Sequence, residues 1–348
     1  MRKIKFFTLF IIIIFTISTS KAGVIKKQKD FRVLIGGDVM FDWGLRETMK
    51  SRGFYAPVEG LRFLFDEVDL RLVNLETPVS NTNEDIDQSK SYVFNAKPEE
   101  LSLLKKINID AVFLANNHSM DYGKLGLEET FKNLSSKSIR FVGAGQNLKA
   151  SYEPIEFSFK KTNLKVFSAT AIGEQRLYAT NTSPGAAPFN LNKLKSIAKI
   201  NNNNNTINLL SLHWGIEYRP EPTSVQVRQA HALIDSGFKI IVGHHPHIPQ
   251  GVEKYKDGVI FYSLGNFMFG SRNQYLNHNL AVILHIENNK LIKCEIIPIF
   301  GKFQKSEHLI KPLPGKEGNE FLQEIAYLSK KLGTEISIRN GRAYIYFD

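Results

Sequence analysis

The sequence predicts an α/β domain, and three observations carry that expectation. Short apolar, β-branched runs recur along the chain. Most of them stop at a polar cluster. Segments with apolar residues at helical spacing lie between them. Short runs bounded by turn residues read as buried strands, and alternation of strands with helices builds a sheet covered by helices. In open sheets of this kind the functional groups gather beyond the carboxyl ends of the strands.

Each element has its own signal. Met1 to Lys5 is a basic start, Phe6 to Ser18 an almost unbroken apolar core, and Ser20-Lys21-Ala22 a small-x-small exit. These are the three parts of a secretory signal peptide. The apolar core falls short of the roughly 20 residues that span a bilayer, so cleavage is favoured over retention as an anchor. No cysteine follows the core, which excludes a lipoprotein signal. Residues 1–22 are therefore read as the signal. Residues 23–348 are read as one exported domain, periplasmic, extracellular or held at the outer side of the cytoplasmic membrane.

Within that domain Phe31–Ile35 runs into Gly36-Gly37-Asp38, Leu70–Val73 into Asn74-Leu75-Glu76, and Ile109–Leu114 into Ala115-Asn116-Asn117-His118. A helix follows over Leu125–Leu134, with Leu127, Phe131 and Leu134 on one face. Asn201–Asn205 reads as a surface loop. Ile207–Leu212 runs into His213-Trp214-Gly215. Ser224–Ser236 carries Val227, Ala230, Leu233 and Ile234 at helical spacing and stops before Gly237, a C-cap. Ile240–Val242 then runs into Gly243-His244-His245-Pro246-His247, and Val259–Leu264 into Gly265-Asn266. Cys294, the single cysteine, lies in the apolar run Leu291–Ile297 and reads as a buried strand residue; one cysteine rules out a disulfide framework and a Cys-rich zinc site. To this core, residues 31–300, the tail from 301 to 348 adds a helix near Glu320–Lys331 and a last strand at Ala343–Phe347.

The 348 residues are 43% hydrophobic and 23% charged, an ordinary globular composition. The formal charge is +11, and +7 without the first 22 residues, which hold four basic residues and no acid. The basic residues are scattered, which argues against a nucleic-acid partner and is compatible with an anionic substrate or polymer.

Taken singly, each polar residue at a strand end has an ordinary explanation as a turn, a cap or a solvated side chain. The set does not. Asp38, Glu76, Asn117, His118, His213, His245 and His247 supply carboxylates, an amide and imidazoles at separate strand ends. That donor set suits Zn, Mn or Fe. In an extended stretch His245 and His247 would share one face and His244 would point away. One carboxylate can bridge two ions, and a histidine that is not a ligand can move a proton. Trp214 and Tyr218 are candidates for lining a substrate groove or for packing, and Asn266 for binding substrate or capping a turn.

Six segments together resemble the bacterial capsule-synthesis protein CapA family, also called poly-γ-glutamate synthesis proteins, a branch of the calcineurin-like metallophosphoesterase superfamily. They are Gly37–Met40, Asn74–Glu76, Ala115–His118, His213–Tyr218, Gly243–His247 with Gln250–Glu253, and Tyr262–Phe267. The resemblance implies a four-layer αββα sandwich of metallophosphoesterase type with the metal site at its edge. It implies Asp38, Glu76, Asn117, His213, His245 and His247 as ligands of one or two divalent ions, Glu76 at the bridging position, and His118 as proton donor. The superfamily's Asp-x-His is here Asp38-Val39-Met40. A thioether is a poor ligand for a hard divalent ion, so one ion loses a nitrogen donor. Asp42 is a candidate replacement.

The resulting expectation is an exported protein of capsule biosynthesis, acting in synthesis, export or retention of an anionic polymer such as poly-γ-glutamate, with membrane-bound synthase subunits as candidate partners. Whether it is an enzyme stays open. Two other readings compete: a periplasmic or secreted metal-dependent phosphoesterase, and a non-catalytic polymer-binding subunit of a synthase complex.

Overall fold

The computed structural model describes residues 30–347, apart from residues 85, 204, 305, 306 and 314. The expected signal peptide lies outside the described residues.

The first half of the chain alternates as the sequence expects. Strand β1 (Phe31–Met40) leads through helices α1 (Gly44–Arg52) and α2 (Arg62–Phe65) to β2 (Leu70–Leu75). Helix α3 (Leu101–Lys106) leads to β3 (Ala111–Phe113), and α4 (Gly123–Ser136) to β4 (Arg140–Val142). These four strands are parallel neighbours. A two-residue strand β5 (Ala144–Gly145) and helix α5 (Leu148–Ser151) precede the hairpin of β6 (Ile155–Phe159) and β7 (Thr162–Thr170). Then come β8 (Gly185–Ala186), which pairs with β5, α6 (Leu191–Asn201), β9 (Ile207–His213), α7 (Ser224–Ile234) and β10 (Ile240–His244). The remaining elements are β11 (Val252–Tyr255), β12 (Gly258–Phe261), β13 (Asn266–Phe269), β14 (His278–Glu287), β15 (Lys290–Gln304), β16 (Glu307–Pro312), α8 (Gly315–Lys331), β17 (Ser337–Arg339) and β18 (Arg342–Tyr346).

Two large sheets result. One runs β17-β18-β15-β14-β1-β2-β3-β4, with β13 also paired to β1 and β16 to β15; the other runs β11-β12-β10-β9-β7-β6. Side chains alternate between faces along a strand, and the two faces of each sheet bury different partners. Val33, Ile35, Leu72 and Val282 of the first sheet share a core with Val166, Leu209, Val242 and Phe261 of the second. Their neighbours Leu34 and Val73 turn outward onto Leu45, Leu104, Leu127 and Leu134. Leu210 and Ile241 likewise turn onto Leu194, Ala198, Ala230 and Leu233. Helix, sheet, sheet, helix is the four-layer αββα sandwich. Helix α8 adds Phe321, Leu322 and Ile325 to the core between the sheets.

Several boundaries differ from the sequence reading, each for a local reason. β1 does not stop at Ile35. Its pairing with β2 shifts between Ile35 and Asp38, and its pairing with β13 shifts between Asp38 and Val39. Such bulges re-aim side chains near functional sites. At this crossing Gly37 is required, because a Cβ there would fall 1.9 Å from the Gly265 carbonyl oxygen. β3 is shorter than the run Ile109–Leu114. α7 opens with a capping box, in which Thr223 Oγ1 accepts from the Gln226 N–H at 3.2 Å and Gln226 Oε1 accepts from the Thr223 N–H at 3.0 Å. Gly237 follows it at φ +122. Cys294 is fully buried in β15, as expected of a strand residue.

Candidate metal centre

The carboxyl ends of the parallel strands of both sheets converge on one buried cluster. β1 brings Asp38 and β2 delivers Glu76. The turn after β3 carries Asn116, Asn117 and His118. β9 ends at His213, and the turn after β10 carries His245 and His247. Two groups of donor atoms lie within 4.8 Å of one another: Glu76 with His213 and His245, and Asp38 with Glu76 and His247. Glu76 belongs to both. Its Oε1 is 3.5 Å from His213 Nε2 and 4.0 Å from His247 Nε2. Asn117 Oδ1 lies 2.7 Å from His213 Nε2.

Around these groups sits a shell that orients them. Asn74 Nδ2 donates to Asp38 Oδ1 at 2.8 Å and lies 3.3 Å from His213 Nδ1. Asn116 Nδ2 donates in turn to Asn74 Oδ1 and to the Leu75 carbonyl. His247 Nδ1 is 3.0 Å from Asn266 Oδ1, an acceptor that holds the proton on Nδ1 and leaves Nε2 facing Glu76. Partners of this kind fix ring orientation and tautomer in metal sites. His118 Nδ1 lies 2.7 Å from Asp121 Oδ2. Asp121 is fully buried and also accepts from the Phe94 N–H at 2.8 Å and from Lys90 Nζ at 2.5 Å.

Both carboxylate oxygens of Glu76 are buried without a hydrogen-bond partner, and so is Nδ1 of His245. A buried, unpartnered carboxylate is costly, and a divalent ion would satisfy it. The donor set of carboxylate, imidazole and amide oxygen fits such an ion.

The electrostatics agree with that fit. Burial drives the Glu76 carboxyl well above its usual range, helped by the charges of Asp38 and Glu217. Burial pushes Asp38 upward too, but the hydrogen bonds and charges of His244 and His247 prevail and hold it well below that range. Burial lowers His213 strongly, with His245 adding to the effect. It brings His245 to about 3. Both rings are thus neutral, the form that binds metal. For His247 burial is outweighed by Asp38, and its pKa is raised. His118 is lowered by burial, with Asp121 opposing.

All seven chemical candidates meet here, but several detailed expectations need correction. β10 ends at His244, and His245 and His247 lie in a turn at φ +96 and +58. Alternation in an extended stretch is therefore not what aims their rings. His244 does not point away, since its Nδ1 is 3.1 Å from Asp38 Oδ1. Trp214 lines no groove. It is buried, stacks on Tyr262 with ring centroids 6.1 Å apart, and donates from Nε1 to the Tyr262 carbonyl. Asn266 opens β13 and turns its Oδ1 to His247 Nδ1, so that oxygen orients a candidate ligand. Tyr218 is half exposed, with its ring 6.2 Å from that of His247. Asp42 supplies no ligand; its carboxylate takes Arg46 and the Asn95 N–H, while Met40 is buried with its Sδ 3.0 Å from the Asp42 N–H. Glu253 and His231 pair with each other at 2.7 Å, away from the cluster. Sequence reasoning missed Asn74, Asn116 and Asp121. The first two stand within the quoted segments, and Asp121 lies three residues after His118, the spacing of one turn.

The αββα sandwich thus gathers carboxylates, imidazoles and an amide at the strand ends of both sheets. The family described as "Bacterial capsule synthesis protein PGA_cap" matches residues 32–271, and the chain belongs to it. It is 29% identical over 266 residues to the PGA biosynthesis protein CapA of Bacillus subtilis, covering 76% of this chain and 70% of that protein. It is 30% identical over 280 residues to the capsule biosynthesis protein CapA of Bacillus anthracis, covering 79% and 68%. Among solved structures, NAD nucleotidase of Haemophilus influenzae aligns with a TM-score of 0.46 at 11% identity, covering 85% of this chain and 55% of that one. A hypothetical protein from Thermus thermophilus aligns with a TM-score of 0.44 at 18% identity, covering 81% and 98%.

Proposed function

We propose that this chain is an exported CapA-type protein that acts in the synthesis, export or surface retention of an anionic capsule polymer such as poly-γ-glutamate, through a metal-dependent site. The observation that carries the reading is Glu76. In a chain of this family it is shared by two ligand groups, and both its oxygens are buried and free. Asp38, Glu76, Asn117, His213, His245 and His247 would hold one or two ions of Zn, Mn or Fe. Such an ion supplies Lewis-acid polarisation of a phosphoryl or amide oxygen. Met40 offers no nitrogen, so of two ions one would be held more tightly than the other.

The chain's own groups account for the rest. Asp121 fixes His118 through Nδ1 and leaves Nε2 to exchange a proton with a leaving group or attacking group. Asn74 and Asn266 orient Asp38 and His247. Tyr218 stands where a polymer would enter. Membrane-bound synthase subunits are the partner class that fits this role.

Metal content per chain tests the reading. Mass spectrometry on the protein starting at Gly23 should find about one or two transition-metal ions, lost in a His245→Ala, His247→Ala double variant. No bound metal after incubation with Zn and Mn would overturn the catalytic site and favour a polymer-binding subunit. The His118–Asp121 pair supports a second reading, a metal-dependent phosphoesterase. Hydrolysis of simple phosphodiesters that disappears in His118→Ala would select it over action on γ-glutamyl amides.

A further inference from the structure

Beside the ligands the chain exposes aromatic rings, and the chemistry above uses only Tyr218 among them. Trp43 is 42% exposed, Tyr92 63% and Tyr218 55%. Ring contacts run unbroken from this rim to the ligands. Trp43 meets Tyr92 at 5.7 Å and Phe94 at 5.2 Å. Phe94 lies 4.2 Å from His118 and 6.0 Å from Phe269. Phe269 lies 4.8 Å from His247, whose other side faces Tyr218.

Two of the three exposed rings are held on strained backbone. Trp43 has φ +55 with ψ −124, and Tyr218 has φ +60. Such conformations cost bulky residues on the order of 1–3 kcal/mol and persist where the surroundings over-determine them, above all at functional sites. At Trp43 the surroundings do so. The Gly44 N–H donates to the Gly270 carbonyl at 3.0 Å, and Gly270 packs so closely that a Cβ would fall 1.7 Å from the Asp42 oxygen. Strain that holds a tryptophan partly in water is not explained by core packing.

The chemistry of the rim narrows the ligand. Four cations near Trp43 and Tyr92 are paired: Lys90 with Asp121, Arg46 with Glu100 and Asp42, Arg176 with Asp87, and Arg272 with Glu47. What Trp43 and Tyr92 present is therefore ring surface with its electron-rich face. Trp43 meets its two neighbours edge to face, at 74° and 82°, so it forms no parallel pair with either to sandwich a flat base, and its indole is 42% exposed. A pyranose fits singly exposed rings of this kind. Its axial C–H groups make an apolar face that rests on the π-face of an indole or phenol, while its hydroxyls stay in water.

We propose that Trp43 and Tyr92, with Tyr218 on the His247 side, form a platform that binds the pyranose rings of a glycan next to the metal centre. This goes beyond the function proposed above by adding a glycan as a second ligand class beside the same site. Binding on the platform itself needs no metal, which separates the two ideas experimentally.

The chain has two tryptophans, and Trp214 is only 1% exposed, so acrylamide quenching of tryptophan fluorescence reports on Trp43. A β-1,4-linked N-acetylglucosamine tetramer should shield Trp43 saturably in the purified chain, with and without prior chelation of metal. Calorimetry should show affinity at least tenfold weaker in Tyr92→Ala and in Trp43→Ala, with a smaller loss in Trp43→Phe, which keeps a ring. Absence of shielding by the tetramer overturns the platform, as does shielding that Tyr92→Ala leaves unchanged. Shielding by adenosine monophosphate or by a γ-linked glutamate oligomer, but not by the tetramer, also overturns it and assigns the rim to a base or to the polymer backbone. Failure of metal to bind, with sugar binding intact, would overturn the function proposed above and leave the platform standing.

Discussion

Replacing Glu76 by Gln should change stability in opposite directions with and without metal. The side chain is fully buried and neither carboxylate oxygen has a hydrogen-bond partner. A charged group left in that state costs about 1–3 kcal/mol or more. The sign follows from the direction of its pKa, which is raised well above the ordinary 4.5. An acid whose folded pKa is raised leaves stability intact below its unfolded pKa and removes it as pH climbs through the folded value. At pH 8 the metal-free wild type bears that penalty, and the near-isosteric amide does not. Unfolding entropy of about 2.1 cal/mol/K per residue gives about 0.7 kcal/mol/K for a chain of this length. The metal-free variant should therefore melt about 1.5–4 °C above the metal-free wild type, with the gap closing near pH 4.5. Metal at about 1,000 times its Kd should then stabilise the wild type by roughly 4 kcal/mol, or about 6 °C, and the variant by much less, because a neutral amide cannot bridge two ions. Differential scanning calorimetry after chelation and after reloading reads both shifts. The reasoning would be refuted by a metal-free variant less stable than wild type at pH 8, or by equal metal-induced shifts in the two proteins.

Other outcomes follow from the same geometry. His247 and Glu76 both have raised pKa values and must release protons to an incoming ion, so metal affinity should climb as pH rises above 6.5; competition titrations between pH 6 and 8 would show a flat profile if these residues are not ligands. Asp121→Asn should lower turnover of whichever substrate the site accepts by roughly 100-fold while leaving metal content at the wild-type value, since Asp121 acts through His118. Gly243→Ala should destabilise the fold by about 3 kcal/mol or more, because the new Cβ would fall 1.8 Å from the Tyr262 carbonyl oxygen; urea titration measures the loss. Cys294 is fully buried and burial pushes its thiol upward, so a disulfide reagent should label it only after unfolding.

Much of this protein could be read before its coordinates, and the reason is local. Strand runs, helical spacing and the C-cap at Gly237 are short-range properties, as is the placement of a ligand-type residue at each strand end. These made the α/β class, the element order and the candidate donors Asp38, Glu76, Asn117, His213, His245 and His247 legible in one dimension. Distances between strands are not local. Only the packing of two sheets through Val33, Ile35, Leu209 and Val242 brings β2 and β9 close enough for Glu76 and His213 to share a site. The bulge around Asp38, the left-handed turn at His245 and the approach of His244 to Asp38 arise where tertiary contacts override strand alternation. Trp214 and Tyr218 show the same limit. They are four residues apart in one motif, yet one packs in the core beneath α7 and the other stands half in water, because β9 ends between the buried sheet and the loop that leaves it. The aromatic rim depends on Trp43, Tyr92 and Phe94 from distant segments, held together through Asp121 and Asp42, and no sequence pattern joins them. Residue chemistry chose the donors, and the crossing of the two sheets decided which of them meet.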